Sequence, residues 1–248
     1  MFVSVGKLRH QDYASGVTAA LRLLGADGCP GGWMVALEFD DHSTGLVRWD
    51  TQHLGSITRR DSVEAAVLDI PIGLTASGPR RCDLEARRLL GRPRGSSVFP
   101  APLRAMLTAT SYQQAQSIRR RIDRKGCSRQ AFGIQAKVAE VDRMLRHGGA
   151  AKLHEGHPEL VFRELAQRAG LPASKHTRDG RLTRWRLLEA EFSSLDQVDP
   201  ERPSSGDALD AYACLWTARR LVAGTASWVP TGVDQLDPEL QFPMRIWY

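Results

Sequence analysis

Lysine is scarce in this chain. Five residues (Lys7, Lys125, Lys137, Lys152 and Lys175) stand against 29 arginines among the 34 basic side chains. A guanidinium forks carboxylates and phosphates with two parallel donors, whereas an ammonium is a compact point charge. The skew therefore agrees with a phosphate-bearing partner, although a GC-rich genome favours arginine codons equally. Cysteine is sparse and scattered: Cys29, Cys82, Cys127 and Cys214 form no C-x-x-C pair. That spacing excludes a zinc finger and reads as reduced thiols in a cytoplasmic protein. No run approaches the roughly 18 apolar residues of a membrane span. The first twenty residues are broken by Lys7, Arg9, His10 and Asp12, so they lack a signal-peptide core and read as a flexible extension. There is no G-x-x-x-x-G-K-[ST] and no G-x-G-x-x-G, which removes support for a nucleotide loop. Nor is there a nucleophile elbow for serine hydrolysis.

What is present is an ordinary globular composition with a basic balance. The 248 residues are 42% hydrophobic and 25% charged, with a net charge of +6 and pI ≈ 9.4. Such a charge suits a polyanion such as nucleic acid.

The element pattern predicts one α/β domain over residues 21–248, with a helical insertion at about 80–147. Residues 21–27 form an apolar run that ends at the turn signal Gly28-Cys29-Pro30-Gly31-Gly32. Trp33 to Phe39 and Gly45 to Trp49 complete a three-strand meander. Ala65 to Asp69, stopped by Ile70-Pro71, reads as a central strand parallel to the first. Helices are expected over Cys82–Leu90 with Gly91 as C-cap, Ser111–Ile122 and Gln130–His147. Residues 151–155 are a further strand, His157-Pro158-Glu159 starts a helix, and Asp179–Phe192 and Asp207–Val222 are helical. Ala226–Pro230 is the terminal strand.

Acidic residues fall where this arrangement makes them expensive. Asp27 and Asp69 each end an apolar strand, and a carboxylate there is costly to desolvate unless a cation or donor meets it. Asp207 and Asp210 lie three apart, on one face of the last helix. Two of them have a plainer explanation: Asp27-Gly28 is a turn dipeptide, and Asp207 favours a helix dipole, which explains Asp210 less well; Asp69, after four apolar residues, is harder to dismiss. Together they offer four ligands from three elements, which suits Mg²⁺ or Mn²⁺ with their preference for hard oxygen. Glu159 and His157 add a carboxylate and an imidazole able to orient or deprotonate a water. Alternatively, Glu159 caps its helix and His157 packs beside it.

Basic residues gather in three groups: 80–104, 119–129 and 175–186. Solvated helix faces account for most of them. The loop carrying Arg92, Arg94, Ser96 and Ser97, with Arg104 beyond it, is the better phosphate-binding candidate, because its backbone can also donate.

Six segments in this order carry a resemblance: GADGCPGGW (25–33), LDIPIGL (68–74), RRCDLEARRLLGRPRGSSVFPAP (80–102), SRQAFGIQAKVAEVDRML (128–145), EGHPEL (155–160) and GDALDAYACLWTARR (206–220). The chain resembles domain-of-unknown-function family 429, regarded as ribonuclease-H-like nucleases. The resemblance implies a ribonuclease-H-like mixed sheet, an antiparallel meander plus parallel strands flanked by helices. It also implies an acidic site at Asp27, Asp69, Glu159, Asp207 and Asp210. Arg129, Gln130, Lys137, Glu140 and Asp142 match the family pattern, either as substrate contacts or as a buried polar network.

The resulting expectation is a metal-dependent nuclease. Asp27 bridges two ions, Asp69 holds one, and Asp207 or Asp210 holds the other. Glu159 and His157 tune the water, while Arg92, Arg94, Ser96, Ser97, Arg104, Arg129 and Lys137 contact nucleic acid. Two rivals are a nucleic-acid-binding module without catalysis and an actin-like phosphotransferase. The latter normally needs two such cores.

Overall fold

Alternating burial along the first strands decides how the two faces of the sheet are used. The computed structural model describes residues 19–149, 152–169, 171 and 173–248, so the extension expected over residues 1–20 lies outside it as far as residue 18. Strand β1 (Leu21–Cys29) pairs antiparallel with β2 (Gly32–Phe39), and β2 pairs with β3 (Thr44–Trp49). A short helix α1 (Thr51–Ile57) then leads to β4 (Ala65–Asp69), which lies parallel to β1. The Asp50 carboxylate caps α1 by accepting from His53 N–H at 2.7 Å.

The middle of the chain supplies the predicted insertion. Helix α2 (Arg81–Arg94) is interrupted at Gly91, whose φ of +57° places the expected stop there as a kink. Helix α3 (Tyr112–Asp123) falls where one was expected over Ser111–Ile122, with Ser111 as its N-cap. The helix expected over Gln130–His147 divides into α4 (Arg129–Gly133) and α5 (Gln135–Met144). Gly133 at the break is the residue with least to lose from leaving a helix.

Strand β5 (Leu153–Gly156), helix α6 (Pro158–Leu165), helix α7 (Arg178–Glu189) and the long helix α8 (Ser205–Val222) follow. Two short strands, β6 (Trp228–Val229) and β7 (Ile246–Trp247), close the described sheet. Its order is β3-β2-β1-β4-β5-β7-β6, with β1, β4, β5 and β7 parallel.

Two apolar layers sandwich this mixed sheet. On one face Leu23, Ala65 and Val67 pack against α8, α6 and α2, through Leu209, Tyr212, Leu160 and Ala86. On the other, Leu24, Ala26, Ala66 and Leu68 meet α1 and α5 through Leu54, Val138 and Val141. A small satellite core (Leu103, Met106, Ala115, Cys127 and Ala131) holds the insertion together. Helix α8 lies almost directly on β1. A Cβ on Gly25 would sit 2.1 Å from Leu215 N and 2.3 Å from Ala211 O, so only glycine permits that approach.

Candidate metal centre

Strand periodicity carries two aspartates to the same place. Successive side chains alternate faces, so Leu23, Gly25 and Asp27 share the α8 face with Ala65, Val67 and Asp69. Asp27 and Asp69 are register partners at the carboxyl ends of adjacent parallel strands. Helix α8, seated on Gly25, brings Asp210 over both, one turn before its closest contact with β1. One oxygen from each of the three carboxylates lies within 4.8 Å of the others. Two ligands on opposite sides of a Mg²⁺ ion stand roughly 4.2 Å apart, twice its bond length, so the spacing and the all-oxygen donor set fit such an ion.

The electrostatics show how much this convergence costs. Burial lifts the Asp27 carboxyl well above the usual carboxylate range, and neighbouring Asp69 and Asp210 raise it further. Burial also raises Asp69 to about 7, with Lys175 opposing and Asp210 and Glu159 adding to the rise. Like charges this close cannot all ionise without a counter-cation.

One cation is built in. The Lys175 ammonium bonds the Asp210 carboxylate, and that pairing holds the lysine well above its ordinary value. Asp69 and Asp27 act on it in the same direction. Lys175 falls in the third basic group, for which a solvated helix face is the sequence expectation. The structure departs from it: Arg181 and Arg184 are buried, and Lys175 points into the acidic cluster.

The other expected catalytic groups surround the trio without joining it. Asp207 is half-buried, and its carboxyl is raised by burial and by Asp210. It is not among the three converging ligands. Glu159 accepts two bonds from Arg184 Nη2, at 2.7 and 2.8 Å, with both residues buried. His157 precedes α6, and burial lowers its pKa, so the ring is neutral near pH 7. Its Nδ1 has no partner among the described residues.

The expected substrate contacts divide into several kinds. Ser96 Oγ donates to Pro93 O at 2.9 Å and Ser97 Oγ to Arg94 O at 2.7 Å, so both hydroxyls tighten their own turn. The Ser97 backbone approaches the His157 ring, which places this loop beside the centre. Arg92 is exposed and Arg94 half-buried. Arg104 is buried and ion-paired with Asp142 at 2.9 Å and with Asp237. Its guanidinium thus serves a salt-bridge network that ties the insertion to the C-terminal segment. Arg129 lies over the Tyr112 ring at 4.7 Å. Lys137 bonds Glu140 at 2.8 Å and covers Trp33 at 4.8 Å, with its Cγ 3.6 Å from where a Gly28 Cβ would be. Of these residues, Lys137 stands next to the Asp27 strand tip. Glu140 in turn accepts from Thr51 at 2.6 Å, so this part of the family pattern is a polar network on the rim.

Lys175 and Arg184 escaped the sequence reading because neither a loop lysine nor a helical arginine signals locally which distant carboxylate will receive it. Scarcity was the one available pointer: Lys175, one of five lysines in an arginine-rich chain, reaches the centre.

Fold and site together define a mixed α/β protein with a buried three-aspartate centre at the ends of its parallel strands. The chain belongs to the family described as Protein of unknown function (DUF429), whose family model matches residues 25–235. No curated protein and no solved structure matches it.

Proposed function

We propose that the protein is a ribonuclease-H-like nuclease that hydrolyses phosphodiester bonds of nucleic acid with Mg²⁺ or Mn²⁺. The observation carrying this reading is the convergence of Asp27, Asp69 and Asp210 within 4.8 Å. The meander followed by parallel strands, in the order β3-β2-β1-β4-β5, supports the fold assignment. Asp27, Asp69 and Asp210 would hold the metal, with Asp207 at the rim. A bound divalent ion supplies an acidified water and charge stabilisation at the leaving oxygen.

This chain's own groups do the rest. Neutral His157, whose Nδ1 has no partner among the described residues, accepts a proton from the attacking water or relays one to the leaving group. Lys137 at the Asp27 tip, with Arg92 and Arg94 on the loop beside His157, holds phosphates. Glu159 positions rather than reacts, because Arg184 occupies both of its oxygens. A cytoplasmic setting suits four buried free thiols. Among the described residues, no helix is long and apolar enough to cross a membrane.

The test is Asp27→Asn assayed on single-stranded, duplex and branched DNA and RNA with Mg²⁺ or Mn²⁺. Cleavage by the native chain, lost by about 100-fold or more in the variant at unchanged circular dichroism, is the expected outcome. Absence of metal-dependent cleavage by the native chain on every substrate overturns the assignment. Salt-sensitive binding without cleavage would replace it with the non-catalytic module. The Lys175–Asp210 pair favours that second reading, since it partly neutralises the cluster without a metal.

A further inference from the structure

We propose that Lys175 is a resident cation that takes one of the two metal positions expected of this centre, leaving room for a single divalent ion among Asp27, Asp69 and Asp210. The inference rests on the nuclease reading and refines how its site is filled.

Charge and connectivity both point this way. Three carboxylates against one ammonium leave two negative charges, the charge of one divalent ion. Lys175 bonds the helix ligand, Asp210, and leaves the strand pair Asp27 and Asp69 without a hydrogen-bonded cation among the described residues. Asp69 and Asp27 also act on the ammonium, which bonds Asp210 from the open side of the cluster with about a third of its side chain exposed.

The loop that carries Lys175 is fastened at several points. Arg184, anchored by Glu159, donates to Ala173 O at 3.2 Å and Gly180 O at 2.9 Å. Arg181 donates to His176 O at 3.1 Å. Thr177 donates to Ser174 O at 2.8 Å and caps α7 by accepting from Gly180 N–H at 3.1 Å. A Cβ on Gly180 would fall 1.9 Å from Ser174 O, so the loop closes against the helix start only because that position is glycine. The residues on either side of Lys175 are thus held by two buried arginines of α7, one of which, Arg184, is anchored by the buried Glu159 of α6. Such an arrangement positions an ammonium at one spot, which a solvated lysine does not need. An ammonium so placed can neutralise charge on a phosphate in the way a second metal would, without exchanging with solvent. Glu159 and Arg184 are then positioning residues for Lys175.

Mn²⁺ binding to the full chain distinguishes the alternatives, read as stoichiometry by calorimetry and by loss of free-ion paramagnetic signal. One Mn²⁺ per native chain, two per Lys175→Met chain and one per Lys175→Arg chain are expected, since arginine restores the charge. Thermal melting covers a variant that folds poorly: Lys175→Met should melt lower than the native chain in chelator and recover more on adding Mn²⁺. Equal stoichiometry in native and Lys175→Met chains, or equal Mn²⁺-induced melting shifts, overturns the proposal. If both bind two ions, the metal centre stands and only the lysine assignment fails. If neither binds any, the nuclease reading falls with it.

Discussion

Two buried clusters in this molecule hold more acid than base, and they are finished differently. Around Arg80, the carboxylates of Glu155 and Asp83 are supplied with donors on every oxygen. Glu155 accepts from Arg80 Nη1 at 2.6 Å, from Nη2 at 2.7 Å and from Ile72 N–H at 2.7 Å. Asp83 accepts from Arg80 and from Ala101 N–H at 3.2 Å. The second cluster joins Asp27, Asp69 and Asp210, and only Asp210 has a bonded cation among the described residues. Burial is comparable, since it raises both Glu155 and Asp69 to about 7. The difference lies in donors. A satisfied network fixes structure, whereas an under-supplied one stores repulsion that a ligand can relieve. The first staples the loop after β4 to β5 and α2; the second leaves Asp27 and Asp69 without a bonded cation among the described residues.

The comparison breaks most visibly by removing a partner from the satisfied side. Arg80→Met leaves Glu155 and Asp83 buried without their cation, and breaking such a pair costs about 3–5 kcal/mol. Urea denaturation should show that loss, while Asp27→Asn, on the other side, leaves stability equal or higher. The opposite ranking would mean the aspartates, not Arg80, hold the fold.

Next in size is the contact that brings the second cluster together. Gly25→Ala drives a methyl into the α8 backbone at Ala211, Cys214 and Leu215, where no side chain can yield. Overpacking against backbone should destabilise by about 3 kcal/mol. It should also move Asp210 from Asp27, so weakened Mn²⁺ binding accompanies the loss. Full stability in this variant would show that α8 can shift freely, and with it the site.

How much of this was legible beforehand depended on whether a residue announced its element. The meander, β4, β5 and α8 were readable because apolar runs met glycine and proline breakers. From them came Asp27, Asp69 and Asp210, since a carboxylate ending a buried strand or opening an apolar helix is conspicuous. Helix α1 and strand β7 were missed, being a short polar helix and a two-residue strand. Asp237 was also missed: it is fully buried, accepts from Leu74 N–H at 2.7 Å and pairs with Arg104, a partnership 133 residues long. Arg184 and Arg181 looked like surface charge, because nothing local reveals that a distant glutamate or carbonyl will receive a guanidinium. Individual carboxylates of the cluster were legible; their counter-charges, supplied by tertiary contacts, were not.

The smallest effect is the most discriminating, because it appears only as pH rises and reverses when metal is added. Asp69 is raised from 3.8 to about 7 in the folded chain, so the native state retains a proton that the unfolded state releases between those values. Its contribution is intact below pH 4 and is lost as pH rises through 7. Asp69→Asn removes that loss. In chelator the variant should match the native chain near pH 4 and exceed it by about 1–2 kcal/mol at pH 8, a discounted share of the full shift. Added Mg²⁺ should reverse the ranking at pH 8, since the ion favours the ionised carboxylate that asparagine lacks. Glu155→Gln supplies the contrast: its carboxyl is raised to about 7 as well, but removing it also strips the buried Arg80 of an ion-pair partner, which should lower stability at pH 8. If Asp69→Asn and Glu155→Gln instead shift stability in the same direction at pH 8, the two clusters are electrostatically alike, and the open one is not waiting for a cation.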